Sequence, residues 1–479
     1  MWMGGLFCAG IAGILAHGGM PLFPLDDLHF LGPVLDLHET GRLQNRFAQA
    51  QMREAGIELN LYYPPLFYYV LALWIKVFGL STAALLSFCW TVLLGFGAAL
   101  AGLGAKFGLP PSSVAWTAPM WLPMLAQSLR PDPLAYLLAL LGLLAFRVDH
   151  AGWVAASVLV LGLSCFTYPV GAAIVVPFVV AELWSGHQRT PPTIQRVARL
   201  TIAALAGVTV CCLIVSWAVE GQFWALIQQL LRSRQDHLGP SSSYLGRTLA
   251  ILTVGKLEWM NLSWLVAAVL AGGYALLSRS TSFSFPQRMG VMSFAAAACL
   301  AVLMYPLMGR CLAYVLGCVL AAVCCHQIRG AGWRRAALLC LIGWSVTTQL
   351  PAYAKALFSH PPSAEDTERI VKVIENSDKK VRVDASVARY CYNYRLPHHV
   401  TSLFFNTTDP AGKAVGFPSF LSSKPEEEIW IFSHTSARIV QMLGGFKDLD
   451  GRYTPPPPVQ VFGKKLLSIP VQEKFVLIE

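Results

Sequence analysis

Charge is what this chain has least of. Only 13% of its 479 residues are Asp, Glu, Lys or Arg, against 55% hydrophobic, and the mean hydropathy is +0.53. A soluble domain this apolar could not cover its own surface, so the composition excludes an ordinary soluble enzyme and makes the bilayer the solvent. Metal-spaced cysteines are also missing. No paired Cys-x-x-Cys occurs, and eleven of the twelve cysteines lie in apolar runs, with only Cys391 in a polar one. They read as packing residues, and no disulfide framework is expected. The run from Met1 has neither a basic n-region nor a small-residue cleavage site and reads as an uncleaved first span. Charges avoid the span centres and no internal repeat is visible, which argues against a transporter.

What is present is a series of apolar runs long enough for ~30 Å of hydrocarbon. They fall near 1–20, 63–79, 82–105, 132–148, 152–167, 169–184, 199–218, 259–278, 289–307, 309–327 and 333–350. The short run 113–128 contains Pro119 and Pro123 and reads as a re-entrant or broken element. Pro169 and Pro177 shorten the arms of the hairpin 152–184. The net charge of +10 does not point to nucleic acid, because of where it sits. Arg189, Arg196 and Arg199 mark one short connection, Arg279 and Arg288 another, and Arg329, Arg334 and Arg335 a third. Basic loops at alternate crossings are the positive-inside signal and make these three cytoplasmic. The connection 21–62 carries six acids against Arg42, Arg46 and Arg53, a net of −3, and reads as the first external loop.

The expected fold is therefore an all-α polytopic membrane bundle of about eleven spans plus the re-entrant segment, with a small external α/β C-terminal domain. Residues 1–358 form the membrane module and 359–479 the external domain. Within the module, 219–258 is an external loop whose Phe223–Leu231 run has the spacing of an interfacial helix. In the tail, Ala364–Ile374 has helical spacing, Lys380–Ala385 and Val459–Ile469 alternate like strands, Ile429–Phe432 is a short apolar run, and Pro455–Pro458 is a stiff spacer.

Five groups of residues carry chemistry. Asp26 and Asp27, with His29 beside them, follow the first span. One carboxylate can take a proton from an acceptor hydroxyl, or the pair can hold a hard divalent cation such as Mg or Mn, unless both are merely solvated. Tyr62–Tyr69 enclose Pro64-Pro65, with Tyr63 immediately before the prolines; the aromatics form either an interfacial belt or a groove for a lipid tail. Arg130-Pro131-Asp132-Pro133 opens the span Leu134–Phe146 on the external side, where Asp132 is either a helix-start acid or part of a shared site. Arg310, in an external turn with Tyr314 one turn on, either pairs with a phosphate or snorkels to headgroups. Arg232, Arg234, His237 and Lys256 in 219–258 are further phosphate ligands or interfacial anchors.

Together, the acidic pair, the Tyr-Tyr-Pro-Pro-Leu re-entry running to Phe78-Gly79 and Arg130-Pro131-Asp132 resemble the GT-C membrane glycosyltransferases. The closest branch is that of the protein O-mannosyltransferases and the lipid A aminoarabinose transferase. Leu37–Leu43 is similar to a Gly-Arg-Leu-Tyr segment found there, with Gln44 in place of Tyr. The second acid is Asp where Glu is frequent, and Tyr63 stands where Lys or His often precedes Pro-Pro. The resemblance implies sugar transfer from a polyprenyl-phosphate donor at the external face, with Asp26 or Asp27 at the catalytic acidic position.

The expected activity is thus glycosyl transfer from that donor to a glycan, lipid or protein acceptor. The membrane is expected to be a bacterial plasma membrane, membrane lipids the surroundings, and nucleic acid no partner. A transporter or flippase without glycosyl transfer is the alternative, and a scaffold displaying the tail domain is the third class.

Overall fold

A computed structural model gives the architecture. It describes residues 24–44, 59, 61, 63–125, 129–147, 149–189, 193–238, 256–277, 283–304, 306–327, 332–340 and 343, and beyond these only ten strand segments. The helices are α1 Pro24–Thr40, α2 Leu66–Phe78, α3 Thr82–Lys106, α4 Ser112–Leu125, α5 Asp132–Ala145, α6 Ala151–Cys165, α7 Gly171–Arg189, α8 Ile194–Ala218, α9 Phe223–Leu238, α10 Lys256–Leu277, α11 Phe285–Met304 and α12 Pro306–His326. Two compact units emerge. One contains Leu61–Phe67 and Ser87–Ala356, the other Gly18–Asn60, Tyr68–Leu86 and Leu357–Glu479.

The first unit is helical. Ala83–Lys106, Ile194–Ala218 and Phe285–Met304 are long and apolar enough to cross a membrane, and the chain is an integral membrane protein. On α8, Ile202, Leu205, Leu213 and Trp217 face outward, a surface that suits lipid and not water. The core lies between α5, α7, α11 and α12, where Phe107, Phe178 and Phe294 pack in sequence and Ala297, Ala298, Val315 and Leu316 are fully buried.

Contacts within this unit order its two ends. Gly95 meets Leu137, Gly102 meets Leu144, and Lys106 donates to the Leu143 and Phe146 carbonyls at 3.0 and 3.1 Å, so α3 and α5 run parallel. The chain must return between them, and α4 does so. Ser112 lies 3.4 Å from His326 at the Lys106 end, whereas Trp121 reaches Phe96 and Gly97 halfway back. The run expected to be re-entrant or broken thus forms one short helix, α4, leading back from the Lys106 end. Within it, Thr117 Oγ1 donates to the Ser113 carbonyl and Trp121 Nε1 donates to Thr117 Oγ1.

The chain leaves this unit at Phe67 and rejoins it at Ser87, and Phe67 packs against Phe88 with ring centroids 6.1 Å apart. The rest of the run 63–79 belongs to the second unit. Arg196 pairs with Asp149, Gln287 donates to the Gly108 carbonyl, and Lys106 pairs with Glu182 at 2.7 Å. These contacts gather the helix ends flanking two of the basic connections at the Lys106 end.

In the second unit, α1 replaces the loop expected across 24–40. Pro24 is a favourable first helical residue, and Phe30, Leu31, Val34 and Leu35 are buried. The polar composition of 21–62 concealed this apolar run. Trp74 donates to the Ala84 carbonyl at 2.9 Å, folding α2 back on the start of α3, which Ser81 caps by accepting from the Ala84 amide. Strands β1 Lys380–Val383, β2 Val400–Ser402, β3 Thr407–Thr408, β4 Ala414–Val415, β5 Glu428–Ser433, β6 Phe446–Lys447, β7 Tyr453–Thr454, β8 Gln460–Phe462, β9 Leu466–Ile469 and β10 Phe475–Ile478 are described. Six form one sheet in the order β2-β1-β5-β10-β9-β8, parallel from β2 to β10 and antiparallel through β9. β1 and β5 fall on the runs at Lys380–Ala385 and Ile429–Phe432, whereas Val459–Ile469, expected as one alternating run, is divided between β8 and β9. The helical run Ala364–Ile374, the Pro455–Pro458 spacer and the first span near 1–20 lie outside the described residues.

Candidate functional site

At the end of the first unit opposite Lys106, three separate parts of the chain bring polar side chains together. α5 starts behind Pro131, with Pro133 in its first turn, which fixes the chain direction on entering the helix. Asp132 occupies the first turn and Arg130 sits two residues back. Arg130 Nε donates to Asp132 Oδ2 at 2.6 Å, within a pair whose side chains are 22% and 8% exposed. Asp132 Oδ1 is buried and has no hydrogen-bond partner among the described residues. One turn on, at the i+4 position of the same helix face, Tyr136 is fully buried, and its hydroxyl is likewise without a partner.

The turn between α6 and α7 supplies Tyr168. Its amide donates to the Ser164 carbonyl, and Ser164 Oγ donates to the Ala135 carbonyl at 2.7 Å, fastening this turn to α5. Tyr63 arrives ahead of Pro64-Pro65 and meets Tyr168 with ring centroids 6.4 Å apart. Burial above all, then the negative charge of Asp132, holds the Tyr168 phenol well above its ordinary value of 10; Arg130 acts in the opposite sense. The phenol is therefore a neutral hydroxyl at physiological pH. Phe166, two residues earlier, packs on Phe223 at the start of α9, and the Cys311 thiol near the start of α12 lies within electrostatic reach of Tyr136.

Tyr63, Arg130 and Asp132, singled out in the sequence, thus come together. Tyr136 and Tyr168 join them and were missed. Tyr136 carried a signal, its spacing of four from Asp132; Tyr168 carried none. Tyr314, expected among the substrate-binding residues, takes a core position: it is 1% exposed and packs edge-on against Trp264 at 5.6 Å. Arg310 lies in the first turns of α12, next to Cys311, and Arg232, Arg234 and His237 lie along α9; the placement of their side chains lies outside the described residues. The same holds for Asp26, Asp27 and His29 on α1. In a helix of 3.6 residues per turn, positions 26 and 27 project about 100° apart, whereas 26 and 29 share a face. That spacing weakens a shared cation between the two adjacent acids. Among the described residues no three His, Cys, Asp or Glu gather into a metal-binding group.

No family model and no curated protein matches the chain. Among solved structures it is similar to the oligosaccharyltransferase AglB of Archaeoglobus fulgidus in complex with an inhibitory peptide and a dolichol-phosphate. That match has 12% identity and a TM-score of 0.49, over 87% of this chain and 59% of that one. Two further structures of the Archaeoglobus fulgidus oligosaccharyltransferase also match. The complex with Zn and sulfate does so at 13% identity and TM-score 0.47 over 87% and 57%, and the apo form at 10% and 0.46 over 87% and 59%. The chain spans less than two thirds of their length. A likeness of that size decides neither fold nor activity.

Proposed function

We propose that this protein transfers a sugar from a polyprenyl-phosphate donor to a glycan, lipid or protein acceptor, at the membrane face away from the basic loops. The observation that carries the reading is the convergence of Tyr63, Arg130 and Asp132 at one end of a membrane bundle. All three belong to the motifs by which the sequence resembles GT-C glycosyltransferases. A lipid-linked donor requires this location, because its tail stays in the bilayer while its sugar reaches the surface.

The chemistry follows from the residue types. The acceptor oxygen attacks the anomeric carbon, the bond from that carbon to the phosphate oxygen breaks, and polyprenyl phosphate leaves with the electron pair. The hydroxyl proton passes to the carboxylate of Asp26 or Asp27, and a guanidinium, with Arg310 the first choice and Arg232 or Arg234 the next, offsets charge growing on the leaving phosphate. A Mg or Mn ion, where the reaction needs one, would take an oxygen from one of these acids, since adjacent positions on α1 project apart. The setting is a multi-pass protein of the bacterial plasma membrane with the tail domain outside.

Mass spectrometry of cell-surface glycans and lipid-linked sugars, with and without the gene, tests this. Loss of one glycan modification with accumulation of its lipid-linked sugar is expected. Unchanged glycans with a lipid-linked sugar trapped on one leaflet would instead favour a flippase.

A further inference from the structure

Of the buried polar atoms in the first unit that have no hydrogen-bond partner among the described residues, two lie on one face of one helix. Asp132 Oδ1 and the Tyr136 hydroxyl are both buried without a partner among the described residues, one helical turn apart on the same face of α5. Neither is cheap. A buried, unsatisfied polar group costs roughly 1–3 kcal/mol, more for a charged one, and such groups in a native structure call for a ligand, a water or an ion.

The surroundings narrow the ligand. Arg130 and Asp132 form an ion pair, so the local charge is balanced. A phosphate would meet a carboxylate, with the nearest guanidinium already engaged. A hard cation wants several oxygen ligands, whereas a single ion-paired carboxylate stands here, and no three-ligand group occurs among the described residues. A neutral molecule rich in hydroxyls fits what remains: a carboxylate oxygen accepts from a hydroxyl, and a phenol both donates and accepts. Tyr168 is 4% exposed, and its ring lies tilted by 31° beside that of Tyr63, adding apolar surface of the kind that packs on C–H groups of a ring. Arg130 and Tyr63 are the partly exposed members, so a ligand arriving from the end of the bundle meets them first.

We propose that Asp132 and Tyr136, flanked by the rings of Tyr63 and Tyr168, form a subsite for the neutral hydroxyl-bearing ring of the donor sugar, distinct from the groups that hold its phosphate. The subsite rests on the glycosyltransferase reading and assigns Tyr136 and Tyr168 to sugar selection. Phosphate recognition then falls to other cations, and discrimination among sugars to α5 and the α6–α7 turn.

The test uses the full chain in lipid nanodiscs, with short-chain polyprenyl-phosphate hexoses and pentoses as probes and bare polyprenyl phosphate as reference. The wild type should bind at least one sugar-bearing probe more tightly than the reference. Tyr136→Phe, which keeps the ring packed on Phe96, should cut that preference about tenfold and leave affinity for the bare phosphate unchanged. Asp132→Asn should act in the same direction. The subsite is overturned if Tyr136→Phe keeps the full preference, if the loss falls equally on the bare phosphate, or if Asp132→Asn abolishes Mn²⁺ binding. A wild type with no preference for any sugar would overturn the glycosyltransferase reading itself, and the subsite with it.

Discussion

Tyr63 and Tyr168 meet with ring centroids 6.4 Å apart, although one precedes the Pro64-Pro65 re-entry and the other lies in the turn between α6 and α7. Their contact draws the loop ahead of α2 onto the end of the bundle where α5 begins with Asp132. A polar cluster held by three separated segments is positioned by tertiary structure and not by one flexible loop.

Tyr136→Phe separates binding from stability. It deletes a buried hydroxyl that has no partner among the described residues, so thermal melting in detergent should show the variant as stable as wild type, or more stable by roughly 1 kcal/mol. A drop of several degrees would mean that the hydroxyl is bonded in the folded protein.

Lys106 should matter for stability and little for catalysis. Its ammonium donates to the Leu143 and Phe146 carbonyls and pairs with Glu182, with side-chain exposures of 27% and 18%. Lys106→Ala strands those groups and should cost about 1–3 kcal/mol. Glu182→Gln should cost less, since the lysine keeps both carbonyls. Equal melting temperatures for Lys106→Ala and wild type would contradict this.

Close helix approach gives a steric prediction. A Cβ at Gly317 would overlap the Trp264 carbonyl, and one at Gly309 the Ala301 carbonyl; both obstacles are backbone. Gly317→Ala and Gly309→Ala should each destabilise by roughly 1–3 kcal/mol, seen as lower melting temperatures. Gly273→Ala, which meets nothing within 4 Å, is the control.

The raised Tyr168 phenol predicts an alkaline effect. A phenol whose folded value lies above its unfolded value of about 10 contributes stability that is full below pH 10 and lost as pH rises through the folded value. Wild type should therefore lose melting temperature more steeply above pH 10 than Tyr168→Phe. Parallel curves would place Tyr168 in water.

Much of this was legible in the sequence. The apolar runs located the helices from α3 onward because lipid demands length and composition. Arg130 and Asp132 were legible because prolines on both sides of Asp132 mark a fixed corner. The continuous helix α4 was less legible, because Pro119 and Pro123 interrupt its run until its packed neighbours are seen. The helix at 24–40 hid behind the acidic average of 21–62, although Phe30–Leu37 is apolar. The Tyr63–Tyr168 contact had no local signal, since nothing in either segment specifies the other.

The proposed reading gives donor-phosphate recognition to Arg310 in the first turns of α12. Arg310→Ala should raise the apparent donor KM roughly ten- to a hundredfold, with partial rescue by Arg310→Lys. If Arg232→Ala or Arg234→Ala raises it instead and Arg310→Ala does not, the phosphate site lies on α9.

The central claim is sugar transfer from a lipid phosphate, and its most direct measurement is transfer of labelled sugar by the purified full chain in nanodiscs. Polyprenyl-phosphate sugars serve as donors, and a membrane extract from the deletion strain supplies the acceptor. The account predicts transfer by wild type, with loss of roughly 10²-fold or more in Asp26→Asn or Asp27→Asn at unchanged expression. Wild-type rates in both single variants and in the double variant, or no transfer from any polyprenyl-phosphate sugar, would contradict it.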